Sequence, residues 1–264
     1  MEALIAAVQV HTSLRRLLAG DLEHFLGRRL NPEIAFDAEA LDGCGAEAVS
    51  RVAGALRGAG LRVSFHGPFV DLAVGSSDPA VRAVAARRFE QLLALVPLFR
   101  PVTLVAHAGY DWRRHEYFRP VWMEHSVRFW SQLAARLAPF GCRLVLENVF
   151  ERGPEEMAEL LARLAADGVG LCLDVGHAAA FGEEPPAGWV ERLGRFVGEL
   201  HLHDNGGRRD EHLPVGRGRI EFGPLLARLW AMHRKPPLMT LEIHRRGDLE
   251  ESLAGLARVL PRPL

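Results

Sequence analysis

Eight short apolar runs recur along this chain, and each is followed by a stretch with helical periodicity. That alternation constrains the fold more than any other feature, because strands separated by crossover helices must run parallel. The runs fall at residues 4–10, 33–36, 61–65, 102–106, 143–146, 169–173, 196–202 and 238–241. The helical stretches fall at 13–29, 46–56, 81–95, 122–137, 155–165, 189–193, 222–232 and 249–259. In the first of these, Leu14, Leu17, Leu18, Leu22, Phe25 and Leu26 share one apolar face. Asp78 and Pro79 are placed as cap and first-turn proline of the third. Eight such units in 264 residues imply an α/β chain folded as a closed (β/α)8 barrel, with residues 1–264 forming a single domain. An open doubly wound sheet would want a glycine-rich phosphate turn after the first strand, and VQVHTSL has none.

Composition narrows the function classes. The chain is 48% hydrophobic and 25% charged with a net charge of −1, which suits a large buried core and gives no global signature of a nucleic-acid binder. Cys44, Cys142 and Cys172 are far apart and lack CxxC spacing. A disulfide framework or a thiolate zinc site is therefore not expected, and a reducing cytoplasm fits. The first residues read as a strand and not as a signal peptide, and no apolar run reaches the length of a membrane helix.

Chemistry concentrates where the strands end. His66, His107, Glu147, Asp174, His201 and Glu242 stand at the C-terminal ends of strands three to eight, and in a barrel those ends share one mouth. His177 follows Asp174 in a DVGH turn, and Asp210 and His212 sit in the loop after strand seven. All nine are nitrogen or oxygen donors, a set suited to Zn2+, Mn2+ or Fe2+. Around them, His11, Tyr110, Trp112, Arg113, His203 and Arg217 are candidates for substrate binding, because aromatic, imidazole and guanidinium groups can stack on rings and hold phosphate.

FHGPF at 65–69, VAHAG at 105–109, LEN at 146–148, LDVGH at 173–177, HLHDN at 201–205, DEHLPVGRG at 210–218 and LEIH at 241–244 occur in the order found in the xylose isomerase-like TIM barrels. The chain resembles that superfamily over nearly its whole length, including its endonuclease IV-type apurinic-site endonucleases (AP endonuclease family 2) and its sugar phosphate isomerases and epimerases. Two site types follow from the resemblance. In the isomerase and epimerase type, one divalent ion would be held by Glu147, Asp174, His201 and Glu242, with the two glutamates moving protons beside a carbonyl. In the endonuclease IV type, up to three zinc ions would be held: the first by His66, His107 and Glu147; the second by Glu147, Asp174, His201 and Glu242; the third by His177, Asp210 and His212.

The resemblance therefore implies a metallohydrolase of a phosphoester or sugar-phosphate bond, with Glu147 and Glu242 as its catalytic carboxylates. A mononuclear sugar isomerase or epimerase, using Mn2+ or a similar ion, is the alternative. A small phosphate or sugar-phosphate substrate is expected over DNA, since most strand-to-helix loops are short and the net charge is near zero.

Overall fold

The computed structural model describes residues 1–261; residues 262–264 of the expected domain lie outside the described residues. Eight parallel strands close into one barrel in sequence order, with the last pairing the first. They are β1 (Val8–Ser13), β2 (Asn31–Ala35), β3 (Ser64–His66), β4 (Thr103–His107), β5 (Arg143–Glu147), β6 (Gly170–Asp174), β7 (Val197–Leu202) and β8 (Leu238–Leu241). The fold expected from the alternation is the fold observed. Among the described residues, no helix is long and apolar enough to cross a membrane.

Side-chain alternation along each strand sorts the core into two regions. Leu144, Leu146, Leu171, Leu173, Leu200 and Leu202 face outward into the large cluster packed beneath the helices. Val105, Val145 and Cys172 form a separate small cluster. They share their strand faces with His107, Glu147 and Asp174, one step nearer the C-terminal ends, so they floor the lumen under the mouth. The register places His107 opposite Glu147 and Asp174 opposite His201.

The N-terminal expectation is corrected. The run at 4–10 is not one strand: Glu2–Ala7 is helical, and β1 begins at Val8. EALIAA has no β-branched residue except Ile5 and is rich in strong helix formers, whereas VQVHT alternates and is β-branched. An unbroken apolar run carries no period by which to tell the two apart. The shift of register puts His11 inside β1, opposite Glu33, and not at its end. The single helix expected over 13–29 is broken as well. A wide turn over Leu17–Asp21 contains Gly20 at φ 121°, a conformation open mainly to glycine. A helix not expected, Val175–Phe181, starts directly after β6, with the Asp174 carboxylate accepting the His177 backbone N–H at its N-terminus.

The loop from Asn205 to Arg219 is organised by Asp204. Its backbone pairs with Leu213 through two hydrogen bonds of 2.8 Å. Its carboxylate accepts the N–H groups of Asn205, Gly216 and Ile220 at 2.8, 3.0 and 3.1 Å. The far side of this loop rests on the last helix, Leu249–Val259, where Gly255 lies so close that a Cβ would overlap the Val215 carbonyl. Gly255→Ala should lower stability by about 1–3 kcal/mol, roughly 2–4 °C of thermal midpoint per kcal/mol at this chain length. An unchanged midpoint in thermal denaturation would show that the loop does not depend on this contact.

Candidate functional site

The C-terminal strand ends open into a cleft of about 810 Å³ lined by His11, His66, His107, Glu147, His177, Asp210, His212, Glu242 and His244. At its base Glu147, buried on β5, faces two ways. Its Oε2 lies 3.1 Å from His66 Nε2 and 3.5 Å from His107 Nε2. Its Oε1 lies 3.2 Å from His177 Nδ1 and 3.7 Å from His201 Nδ1. Donor atoms of His66, His107 and Glu147 all fall within 4.8 Å of one another.

A second convergence centres on His201. Its Nδ1 is 3.3 Å from Glu242, 3.7 Å from Asp174 and 3.7 Å from Glu147, and it is buried with no hydrogen-bond partner. The third gathers His177, Asp210 and His212, joined by His203, all with donors within 4.8 Å. Asp210 Oδ2 stands 3.4 Å from His177 Nε2 and 3.0 Å from His212 Nε2. His203 bridges two carboxylates, reaching Asp174 at 3.1 Å and Asp210 at 3.5 Å.

The imidazoles share one arrangement. His66 Nδ1 lies 2.9 Å from the Gly67 carbonyl, His177 Nδ1 3.1 Å from that of Asn148, and His212 Nδ1 3.3 Å from that of Glu242. His201 instead turns its Nε2 to the Glu33 carboxylate at 3.3 Å. A neutral ring that donates from one nitrogen presents a lone pair at the other. In each ring that lone pair faces carboxylate oxygens, a repulsive contact unless a proton or a cation lies between them.

With protons alone the titration is strongly displaced. Burial pulls His66 down, but the hydrogen bond and charge of Glu147 outweigh it and carry the ring to about 9. Burial likewise opposes protonation of His177 and His201, yet Asp174, Asp210 and Glu147 lift His177, and Cys172 with the carboxylates of Glu33, Glu242 and Glu147 lifts His201, each well above the ordinary range. Glu147 and Asp174 are held well below theirs: burial pushes them up, and the imidazoles around them outweigh it. His107 is pushed down to about 4 by burial. The cleft therefore favours positive charge at its base, and the donor set suits a borderline divalent ion.

Adjacent residues fix these groups. The Asn148 side chain ties β5 to β6, donating to the Asp174 carbonyl at 3.0 Å and accepting its N–H at 2.9 Å. Gly176 is required because a Cβ would overlap the His203 ring. The His203, His212 and His244 rings form a stack, each adjacent pair 3.9 Å apart.

Three positions depart from the substrate-binding expectations. Arg217 is absent from the cleft lining and pairs with Glu251 at 3.3 Å on an exposed surface; its glycine-flanked turn faces the last helix. Trp112 lies beneath the Arg152 guanidinium, 4.7 Å away, and also does not line the cleft. His203 is fully buried among the third group of donors and does not face the opening. Tyr110 does line the cleft, but it is packed on Trp122. Arg113 lines it too, paired with Asp111 at 2.8 Å. His11 lines it, 3.1 Å from Glu33 and 3.4 Å from Glu242.

Sequence reasoning missed Glu33. It is fully buried on β2, lies 3.1 Å from His11 and 3.3 Å from His201, and accepts a hydrogen bond from Thr240 at 3.2 Å. An acidic residue in the middle of a short strand, directly before the apolar Ile34 and Ala35, was the available signal.

A family model described as xylose isomerase-like TIM barrel matches residues 33–261. The chain belongs to the xylose isomerase-like TIM barrel family. It is 24% identical over 207 residues to a probable endonuclease 4 of Mycobacterium ulcerans, covering 74% of this chain and 79% of that protein. Among solved structures it resembles the TTHB071 protein of Thermus thermophilus, soaked with ZnCl2, with a TM-score of 0.78 and 27% identity, covering 96% of this chain and 97% of that one. A D-tagatose 3-epimerase-like protein shares the fold at a TM-score of 0.79 and 20% identity, covering 96% and 97% of the two chains. Two uncharacterized proteins of Methanocaldococcus jannaschii, 28% and 25% identical, are matched over 60% and 63% of their length.

Within this family barrel, Glu33 is positioned to orient His201 through the nitrogen that faces away from the other carboxylates. Glu33→Gln should weaken retention of a divalent metal ion about 10- to 100-fold, measured by competition with a chromogenic chelator. Unchanged retention would remove Glu33 from that role.

Proposed function

We propose that this barrel is a metallohydrolase that cleaves a phosphoester or sugar-phosphate bond, with divalent ions, zinc foremost, in up to three adjoining positions. The reading rests chiefly on one observation: His177, Asp210 and His212, with His203, form a compact donor group beyond the four residues that a mononuclear isomerase needs. Asp210 Oδ1 and His203 Nδ1 in that group are buried without a hydrogen-bond partner. So is His201 Nδ1 at the centre, which supports a cation there as well.

His66, His107 and Glu147 would hold the first ion; Glu147, Asp174, His201 and Glu242 the second; His177, Asp210 and His212 the third. Bound ions would supply hydroxide at neutral pH and offset the charge that develops on the phosphoryl oxygens. Glu147 Oε2 faces His66 of the first group and Oε1 faces His201 of the second, which suits a carboxylate shared between the two. His203 would hold Asp174 and Asp210 in position. In the overall reaction water adds to phosphorus, the ester P–O bond breaks, and the departing alcohol leaves with a proton.

A mononuclear sugar isomerase or epimerase is the second reading. It is favoured by the approach of Glu147 and Glu242 to one imidazole nitrogen, His201 Nδ1, which would let both carboxylates exchange protons with one substrate. Under either reading the substrate is a small molecule. DNA is less favoured, and the expected compartment is the cytoplasm.

The two readings separate by mutation. His212→Ala and Asp210→Asn in the zinc-reconstituted protein should each lower phosphoester hydrolysis by about 100-fold or more, of the order seen when an electrostatic stabiliser is removed. Epimerisation of ketoses that survives both substitutions, with no hydrolysis in the parent protein, would favour the mononuclear reading instead.

A further inference from the structure

The lining of the cleft is of two kinds. One is the imidazoles and carboxylates described above. The other is apolar, with Phe69, Val70, Leu72, Val81, Phe150 and Phe181. Phe69, Phe150 and Phe181 are 45%, 41% and 36% exposed, a grouping of partly bare aromatic rings around a charged base. Each is tied to the donor groups or the rim. Phe69 stacks on His107 with centroids 4.3 Å apart and planes 23° apart. Phe181 stacks on His177 at 5.7 Å and 28°. Phe150 lies 5.4 Å from Phe181 and under the Arg113 guanidinium at 5.1 Å.

Several polar groups at this rim are already engaged with one another, Asp71 excepted. Asp111 pairs with Arg113 at 2.8 Å and with Arg114 at 3.7 Å. His115 accepts the Asp111 N–H at 3.0 Å, and Ser76 accepts that of Asp78 at 3.1 Å.

An open polyol bound against such a wall would bury hydroxyls with no partners, at a cost for each. A planar apolar ring would cover the exposed phenylalanines and stack on them. We propose that the Phe69, Phe150 and Phe181 wall selects a phosphate ester whose organic group carries a planar aromatic ring, with the phosphoryl group directed to the imidazole and carboxylate base. The proposal rests on the hydrolase reading for its phosphoryl group, whereas the wall's preference for a ring stands on packing alone.

The test is calorimetric titration of the zinc-loaded protein with phenylphosphonate and with methylphosphonate, neither of which can be hydrolysed. Wild type should bind phenylphosphonate about tenfold tighter or more, equivalent to about 1.4 kcal/mol. In Phe150→Ala/Phe181→Ala the ratio should fall to roughly threefold or less, with methylphosphonate affinity unchanged. Both side chains are partly exposed, so the double variant should fold, and its zinc content and circular dichroism confirm this before titration. Phe69→Leu, which keeps an apolar side chain but loses the ring, should reduce the ratio in part. Equal binding of the two phosphonates, a ratio that survives the double substitution, or binding of neither would overturn the proposal. A ring preference without hydrolysis of any phosphoester would refute the hydrolase reading and leave the wall's role standing. Hydrolysis without a ring preference would do the reverse.

Discussion

The structure depends on one electrostatic constraint: buried carboxylates and imidazole lone pairs are brought face to face, and something positive must lie between them. Glu147, Asp174 and Glu242 all approach His201 Nδ1 within 3.7 Å, and none of the four side chains is more than slightly exposed. Bare ions at such depth would cost far more than a fold of this size can offset. Protons can neutralise part of the set, since Glu147 raises His66 and Asp174, Asp210 and Glu147 raise His177 against the opposing effect of burial. Divalent ions would do so while using every donor in the direction it already points.

The barrel makes this possible through simple parity. A two-residue period sends Val105, Val145 and Cys172 into the lumen and then His107, Glu147 and Asp174 above them, so the same strands that build the core also carry the polar mouth. The carbonyls that restrain His66 and His177 belong to Gly67 and Asn148, residues directly after β3 and β5. The remaining donors arrive on the Asp204 loop, whose internal hydrogen bonds and contact with Gly255 hold Asp210 and His212 over the opening. Asp204 contacts no imidazole among its hydrogen bonds; its role is to shape the loop that delivers one.

Much of this was legible in the sequence, and the exceptions have physical causes. Strand ends were legible because polar residues stand at or beside the ends of β3 to β8 after apolar runs, so the convergence of His66, His107, Glu147, Asp174, His201 and Glu242 followed from topology. Glu33 was not, because it sits one turn of pleat below the mouth and its partner His201 lies 168 residues away. The start of β1 was misplaced because EALIAA is apolar without a period. Arg217 was expected near the substrate because it lies close in sequence to His212. Gly216, at φ 85°, belongs to a turn that carries the chain away toward Glu251. The aromatic wall was invisible because Phe69 and Phe150 come from two separate loops and Phe181 from the end of the helix after β6, and no local pattern links them.

The central claim is that three adjoining donor groups share the base of this cleft and each holds a cation. The most direct test is anomalous diffraction at the zinc edge from crystals of the protein purified without chelators and supplied with zinc. Three peaks are expected: one among His66, His107 and Glu147, one among Glu147, Asp174, His201 and Glu242, and one among His177, Asp210 and His212. A single peak beside His201, with the Asp210 and His212 position empty at saturating zinc, would contradict the claim.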